Sequence, residues 1–142
     1  MNILVTGATG KVGQCFIRKF LEDERFQDAR VRALCHNRTL KENDRLECVR
    51  GDISEKESVQ AAMEGVTHVL HLATCKETPD HVMDVTVKGM FWLLEECRLS
   101  EAFKQFILIG GDAAMGHFVY PHPIPVTEGQ KHSAYEGCYA LS

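Results

Sequence analysis

The chain has 142 residues, which is enough for one domain around a single hydrophobic core. Its net charge of −4, with no block of five or six basic residues, argues against a nucleic-acid or membrane-surface partner. No apolar run reaches eighteen residues, and the first residues read as a strand, so neither a transmembrane helix nor a signal peptide is predicted. The six cysteines form no CxxC pair, which favours reduced thiols of a cytoplasmic protein.

A glycine-rich turn separates the first predicted strand, residues 2–6, from the first predicted helix, residues 11–22. Gly7 permits a tight turn, Gly10 lets the main chain approach a phosphate, and Gly13 lets the helix pack closely on the strand. The unpaired N–H groups at the helix start favour an anion. The pattern predicts a pyrophosphate site, and a glycine-rich turn without a ligand is the alternative.

Predicted strands and helices alternate along the rest of the chain. The apolar face of the first helix is predicted from the helical spacing of five residues, namely Val12, Cys15, Phe16, Lys19 and Phe20. Further strands are predicted at residues 31–35, 46–49, 66–73 and 106–109. A Ser54–Glu57 capping box opens the next helix, and Gly65 closes it with a left-handed residue. Residues 110–133 read as a loop, and a last helix begins near Ser133.

This alternation predicts an α/β fold with right-handed crossovers. The expected architecture is a Rossmann-type doubly wound parallel sheet of order 3-2-1-4-5, in three α/β/α layers. A long helix from Pro79 to Leu99 carries two apolar stripes: one with Val82, Val85, Gly89 and Leu93, the other with Val87, Phe91 and Leu94. We expect the first stripe to pack on the sheet and the second to form a homodimer interface.

Four motifs carry a resemblance to a known family. They are Thr6–Gly13 (TGATGKVG), Gly51-Asp52-Ile53, His71-Leu72-Ala73 and Tyr139–Ser142. In this order they resemble those of the extended short-chain dehydrogenase/reductases, which are NAD(P)-dependent epimerases, dehydratases and reductases acting largely on sugar nucleotides. The resemblance implies an NAD(P)-binding Rossmann domain over residues 1–142, and an oxidoreductase, epimerase or dehydratase with a sugar nucleotide or a similar hydroxyl or carbonyl substrate.

The resemblance also implies cofactor contacts along the first turn and at the strand ends. These residues are Gly7, Thr9, Gly10, Lys11, Val12, Gly13, Asp52, Ile53, Leu72 and Ala73. In the family, the aspartate matched by Asp52 accepts a hydrogen bond from the adenine amino group, and Ile53 would flank the ring. The alternatives are a turn-forming role for Asp52 and a packed strand histidine at His71.

The end of the second predicted strand distinguishes NAD from NADP. An NAD site usually has a carboxylate there, whereas Arg accommodates a 2′-phosphate. Cys35 occupies this position and is followed by His36, Asn37 and Arg38. The sequence therefore predicts a preference for NADP, with His36 and Arg38 near the phosphate. An exposed loop position for Arg38, without a ligand, is the alternative.

The resemblance places the catalytic acid or base at Tyr139, the tyrosine of a YxxxK motif whose lysine would follow Ser142. The alternative for Tyr139 is a helix aromatic packed on the core. Gly111 stands where the family has Ser or Thr, leaving Asp112 or Ser133 to supply a polar group, and Thr86 replaces an asparagine. These departures leave a non-catalytic NAD(P)-binding or redox-sensing protein as the alternative function.

The C-terminal substrate region of the family is expected to be absent, so the 142-residue chain is predicted to bind the cofactor weakly and to be inactive. No metal site is predicted, because the late histidines and cysteine match no common ligand spacing; they are His117, His122, His132 and Cys138.

Overall fold

A five-stranded parallel sheet forms the centre of the computed structural model, which describes residues 1–75, 78–116, 119–122 and 124–133. Its strands are β1 (Asn2–Thr6), β2 (Arg30–Cys35), β3 (Leu46–Arg50), β4 (His68–His71) and β5 (Gln105–Leu108). They lie in the order β3-β2-β1-β4-β5, and each neighbouring pair is parallel. The predicted strand order is therefore confirmed.

Helices cover both faces of the sheet. Ile3 and Val5 of β1 belong to one hydrophobic cluster together with residues of α1 (Lys11–Glu22). Leu4, between them, belongs to a second cluster with residues of α2 (Lys56–Met63) and α4 (Gly89–Leu99). Side chains of one strand alternate between faces, so a strand buried on both sides reads as continuously apolar. The predicted three-layer α/β/α arrangement is confirmed.

The buried face of α1 differs from the predicted one. Gly13, Ile17 and Phe20 are its buried residues, whereas Val12 is 66% exposed and Cys15 is exposed. Gly13 sets this rotation, because its α-carbon lies against the turn that follows β1. The next inward positions then follow at four and seven residues further along the helix.

The predicted capping box at the start of α2 is wrong. The helix begins at Lys56, and no side chain caps it. The Ser54 hydroxyl instead donates to Asp52 Oδ1 at 2.8 Å. A short Asx-type turn has taken the hydroxyl that a cap needs. At the other end Gly65 has a φ of 68°, so the predicted left-handed residue there is confirmed.

The long helix predicted over residues 79–99 is present but not uniform. A first turn, α3 (Pro79–His81), leads into a π-helical segment (Val82–Lys88) and then into α4. Val82, Gly89 and Leu93 are buried, as predicted for the inner stripe. The outer stripe is exposed, with Phe91 at 56% and Leu94 at 47%.

Within the described ranges, no helix is both long and apolar enough to cross a membrane. Two short 3₁₀ turns complete the fold, at Glu24–Phe26 and Asp112–Met115. The last predicted helix, together with Tyr139, lies outside the residues that the structure describes.

Candidate functional site

The glycine turn, residues 7–13, leaves no space for side chains at two positions. Gly7 has a φ of 65°, and a β-carbon there would lie 2.7 Å from the Leu72 carbonyl carbon and 2.8 Å from the Ala73 nitrogen. A β-carbon on Gly13 would lie 2.5 Å from the Gly7 oxygen. Both contacts are with main-chain atoms, which cannot rotate away. The turn therefore requires glycine at both positions.

The first N–H groups of α1 lie at this turn, and no side chain accepts a hydrogen bond from them. Gly10 is the N-cap residue and has an extended conformation, no side chain caps the helix, and its first turn contains no acidic residue. The Gly10 N–H donates to the Gly7 oxygen at 3.0 Å, which tightens the turn. Lys11 and Val12 follow and are exposed. A helix N-terminus of this kind binds anions through its N–H groups and its dipole.

Thr6 joins the ends of β1 and β4 beneath the turn. Its hydroxyl oxygen accepts the N–H groups of Leu72 and Ala73, both at 3.2 Å, and it lies 2.8 Å from His71 Nδ1. These bonds also explain why β4 ends at His71, earlier than predicted, since the next two N–H groups leave the sheet ladder for Thr6. The Leu72 and Ala73 main chain is thereby held against Gly7.

His71 is a buried neutral histidine. The Thr6 oxygen already accepts two N–H groups, so its own proton goes to Nδ1, which assigns the tautomer with a proton on Nε2. Among the described residues, Nε2 has no hydrogen-bond partner. Burial lowers the pKa of His71 from 6.5 to about 4. His71 is thus a structural residue beneath the turn.

A second polar cluster lies where β2 and β3 end. The Gly51 N–H donates to the Cys35 oxygen at 3.0 Å and draws the two strand ends together. Asp52 follows, and its Oδ1 accepts the N–H and the hydroxyl of Ser54 at 2.9 and 2.8 Å. Its other oxygen, Oδ2, lies 3.3 Å from His36 Nε2. The carboxylate is therefore oriented by three contacts.

The charge of Asp52 is stabilised in this position. Burial raises the pKa of Asp52, whereas the hydrogen bonds from Ser54 and the nearby His36 lower it. The lowering effects are together the larger, so the pKa lies below its ordinary value. Arg38 is exposed on the loop after β2. Ile53 is 7% exposed, and both its side chain and its main-chain oxygen pack against Gly89 of α4.

Fewer polar contacts are present at the carboxyl ends of β4 and β5. Thr86, in the π-helical segment, has its hydroxyl 3.7 Å from the Cys75 sulfur. The Gly111 oxygen accepts the Ala114 N–H at 3.2 Å and begins a 3₁₀ turn. Tyr139 is outside the described residues. In the described part of the chain, no three potential metal ligands lie together.

Sequence reasoning missed two positioning hydroxyls. The strand pattern predicts Thr6 only as a strand end, and the capping-box pattern predicts Ser54 as a helix cap. The signal for Ser54 was available, since Asp followed by Ser two residues later is the spacing of an Asx turn. The signal for Thr6 was weaker, because its three partners lie more than sixty residues away.

Comparison with known proteins identifies relatives over nearly the whole chain. The profile of the 3-beta hydroxysteroid dehydrogenase/isomerase family matches residues 4–140. A UDP-glucose 4-epimerase of Rickettsia massiliae is 29% identical over 86 residues, which cover 55% of this chain and 25% of that protein. A bifunctional dihydroflavonol 4-reductase/flavanone 4-reductase of Malus domestica is 23% identical over 152 aligned positions, covering 99% of this chain and 43% of that protein.

A solved structure is similar over the same region. A short-chain dehydrogenase/reductase superfamily protein from Agrobacterium tumefaciens, solved with bound NAD, superposes with a TM-score of 0.79 at 26% identity. The match covers 99% of this chain and 41% of the solved chain. The chain thus spans less than half the length of each of these relatives. The resemblance drawn from the four motifs is confirmed.

Proposed function

The chain belongs to the 3-beta hydroxysteroid dehydrogenase/isomerase family, and from that membership we propose that it is the dinucleotide-binding portion of an NAD(P)-dependent oxidoreductase, epimerase or dehydratase. Residues 1–142 are the proposed NAD(P)-binding Rossmann domain. The related proteins named above act on UDP-glucose and flavonoid substrates or are solved with NAD, and each is more than twice as long as the matched part.

One observation carries this proposal: the glycine turn combines two positions closed to a β-carbon with an uncapped helix N-terminus. Such a turn fits a pyrophosphate, because the main chain can approach the phosphates and the N–H groups can donate to them. Gly7, Thr9, Gly10, Lys11, Val12 and Gly13 are the proposed diphosphate-binding residues. Leu72 and Ala73, held by Thr6, form the adjoining wall.

The proposed adenosine site lies at the ends of β2 and β3. Asp52 offers the adenine amino group an oriented carboxylate, with Ile53 beside the ring. We propose NADP as the preferred cofactor, bound with its 2′-phosphate near His36 and Arg38. The support is a strand end without a carboxylate at Cys35 and with exposed basic groups directly after it.

Titration of both cofactors tests this preference. NADP⁺ is expected to bind more tightly than NAD⁺, and Arg38→Ala is expected to weaken NADP⁺ several-fold while leaving NAD⁺ binding unchanged. Arg98→Ala serves as the control, because Arg98 is an exposed arginine at the end of α4, paired with Glu95. NAD⁺ binding as tight as that of NADP⁺ would refute the preference.

Catalysis is proposed by resemblance. The nicotinamide would exchange a hydride with a hydroxyl or carbonyl carbon of a sugar nucleotide or similar substrate, while Tyr139 transfers the proton. We propose that the 142-residue chain alone binds cofactor weakly and does not turn over, because its relatives have more than half their length beyond the matched region. Sustained NADPH oxidation by this chain with a sugar nucleotide would contradict the proposal.

A non-catalytic dinucleotide-binding or redox-sensing function is the second candidate, and two observations favour it. Gly111 offers no hydroxyl after β5, and the Thr86 hydroxyl is engaged with Cys75 at 3.7 Å. Fold alone does not distinguish the two functions. The test uses a longer chain that contains a lysine directly after Ser142. Tight cofactor binding without turnover by that chain would favour the non-catalytic function, and turnover would favour the enzyme.

We also propose a homodimer formed through the helix of residues 79–99, in a cytoplasmic protein. The support for the dimer is the exposed apolar stripe of this helix, which comprises Met83, Val87, Phe91 and Leu94. Light scattering is expected to give a dimer for the wild-type chain and a monomer for Phe91→Arg. Ile124→Arg is the control, since Ile124 is 89% exposed and is not part of the helix. A wild-type monomer would contradict the proposal.

A further inference from the structure

The connection between β2 and β3 contains no helix. Residues 36–45 join these two parallel strands as a loop, which closes with an isolated bridge between Asn43 and Leu46. Neighbouring parallel strands are usually joined through a helix, which packs on the sheet beside the other helices of that layer. In this chain the loop leaves a groove next to α1, on the face where such a helix would lie.

The α1 groove runs between one stripe of α1 and the loop, and its volume is about 590 Å³. This volume lies in the range of about 300–1,000 Å³ that small-molecule sites occupy. The lining residues of α1 fall between positions 14 and 22 at the spacing of one helix face, so the groove is about 12 Å long. The groove therefore suits an elongated small molecule.

The floor of the α1 groove is apolar. Ile17 of α1 is 4% exposed and Leu46 of β3 is 6% exposed, and both belong to the hydrophobic cluster on this face of the sheet. Leu21 and Leu40 are half-buried beside them and pack against the same cluster. A ligand with an apolar body would remove these side chains from water, which is favourable.

The charged lining of the α1 groove, within the described residues, consists of Arg18, Arg45 and Glu22. Two positive charges and one negative charge leave a net charge of +1, which favours an anion. Arg45 is fixed, because its guanidinium donates to three main-chain oxygens, including that of Phe26 at 3.1 Å. Arg18 is exposed, and no carboxylate of the described segments lies within ion-pair distance of it. Arg18 is therefore available to an anionic ligand.

The α1 groove is separate from the proposed dinucleotide site. None of the residues that line it belongs to the glycine turn, residues 7–13, or to the adenosine end at His36, Arg38 and Asp52. A molecule in the groove would therefore not occupy the cofactor positions, and the inference below does not depend on the proposed function.

We propose that the α1 groove binds a small amphipathic anion, an aliphatic carboxylate whose chain lies on Ile17, Leu21 and Leu40. Its carboxylate pairs with Arg18 rather than lying at the Glu22 end, where it would meet a like charge. Charge complementarity with Arg18 distinguishes this ligand from a neutral apolar one of the same length.

The test titrates octanoate and 1-octanol into the ¹⁵N-labelled 142-residue chain at constant pH and follows the amide signals by NMR. The two probes have the same chain length and differ in the head group alone. Both are expected to shift the signals of Ile17, Leu21 and Leu40. Octanoate is expected to bind about two- to fivefold more tightly than 1-octanol, as for an exposed charge pair.

Two charge variants of α1 are expected to have opposite effects. Arg18→Gln should weaken octanoate about two- to fivefold, and Glu22→Gln should strengthen it by a smaller factor, while 1-octanol binding stays unchanged in both. Arg98→Gln is the matched control, because Arg98 belongs to α4, a helix on the opposite face of the sheet, and should keep the wild-type affinities.

A third variant tests the apolar floor. Leu40→Ala should weaken both probes equally, by about threefold or more, because it removes apolar contact from the chain and leaves the charges in place. Leu40 is a loop residue and half-buried, so the sheet and its helices should remain folded. The unchanged signals of residues 2–6 in the amide spectrum would confirm this.

Four results would overturn the inference. They are binding of neither probe, equal affinities for octanoate and 1-octanol, an equal loss of octanoate affinity in Arg98→Gln and Arg18→Gln, and displacement of octanoate by saturating NADP⁺, which would place the probe in the dinucleotide site. Groove signals that shift with protein concentration and not with octanoate would instead assign the groove to a second copy of the chain, and would also overturn it.

Discussion

At the carboxyl edge of the sheet, the glycine turn after β1 and the residues after β5 differ in how tightly the main chain is packed. At the glycine turn, main-chain atoms pack so closely that Gly7 and Gly13 cannot carry a β-carbon. At the other end, Gly110 has no atom within 4 Å of a β-carbon position, and Ile109 is 58% exposed. Sterics within the described chain therefore require glycine at residues 7 and 13, whereas position 110, directly after β5, has room for a side chain. The difference places a steric constraint at the proposed diphosphate site that position 110 lacks.

The largest effect is expected from Gly7→Ala. The substitution combines a left-handed φ with a β-carbon 2.7 Å from the main chain of Leu72, so it should cost about 3–5 kcal/mol of stability and remove cofactor binding. Urea denaturation measures the first effect, and calorimetric titration with NADP⁺ measures the second.

Gly65→Ala is the matched control. Gly65 has nearly the same φ, 68°, but nothing lies within 4 Å of its β-carbon position. It should cost about 1–2 kcal/mol from backbone strain alone. Equal losses for the two alanine variants would show that packing at Gly7 contributes nothing.

The second prediction concerns His71, beneath the turn. Its pKa is about 4 in the folded chain and 6.5 in the ordinary case, so the unfolded chain takes up the proton first as the pH falls. The stabilisation is complete above pH 6.5 and is lost between pH 6.5 and about 4, with a total of about 3 kcal/mol. His71→Asn should flatten this part of the curve of unfolding free energy against pH.

Other groups also titrate at low pH, so the informative quantity is the difference between the two curves. His132→Asn provides the control, because His132 is exposed and should follow the wild-type curve. A wild-type curve parallel to that of His71→Asn from pH 6.5 to 4 would show that His71 does not titrate in this way.

Ser54→Ala has a smaller expected effect, at the adenosine end. It removes both the hydroxyl bond and part of the constraint on Asp52, which should cost about 1 kcal/mol and weaken 5′-AMP binding about threefold. Ser58→Ala removes the neighbouring hydroxyl, which donates to Glu55 at 3.0 Å, and should leave 5′-AMP affinity unchanged. Unaltered 5′-AMP binding in Ser54→Ala would argue against an oriented Asp52.

The smallest effect is expected at the far end. Gly110→Ala should change stability by less than about 0.5 kcal/mol, because its β-carbon would enter open space at an ordinary φ. Thermal denaturation of this variant beside Gly13→Ala compares the two ends directly. A loss at Gly110 as large as the loss at Gly13 would remove the distinction between them.

The sequence was most informative where local chemistry and fold coincide. The alternation of strands with helices predicted the strand order, and the glycine spacing predicted the turn. Continuous apolar runs such as Ile3-Leu4-Val5 fit this sheet, because parallel strands are buried on both faces. The capping box failed because Ser54 had two local partners, and sequence does not rank a helix cap above an Asx turn.

Long-range contacts were beyond sequence reasoning for a different reason. The Thr6 contacts with His71, Leu72 and Ala73 form only after β1 and β4 have paired, and no local pattern encodes them. The rotation of α1 is a different case, because the prediction that Gly13 packs on the strand already implies it: Ile17 and Phe20 follow Gly13 by four and seven residues on the same face, whereas Val12 does not lie on that face.

The most direct test of the proposed site is hydrogen exchange of the 142-residue chain with and without saturating NADP⁺. The N–H groups of residues 11–13 precede the first hydrogen bond of α1, from the Gln14 N–H to the Gly10 oxygen, and no side chain caps them, so they should exchange rapidly in the free chain and slowly in the complex. Protection gained over residues 11–13, with none over 124–133, is the predicted result. Binding of NADP⁺ without protection at residues 11–13 would contradict a diphosphate site at the glycine turn.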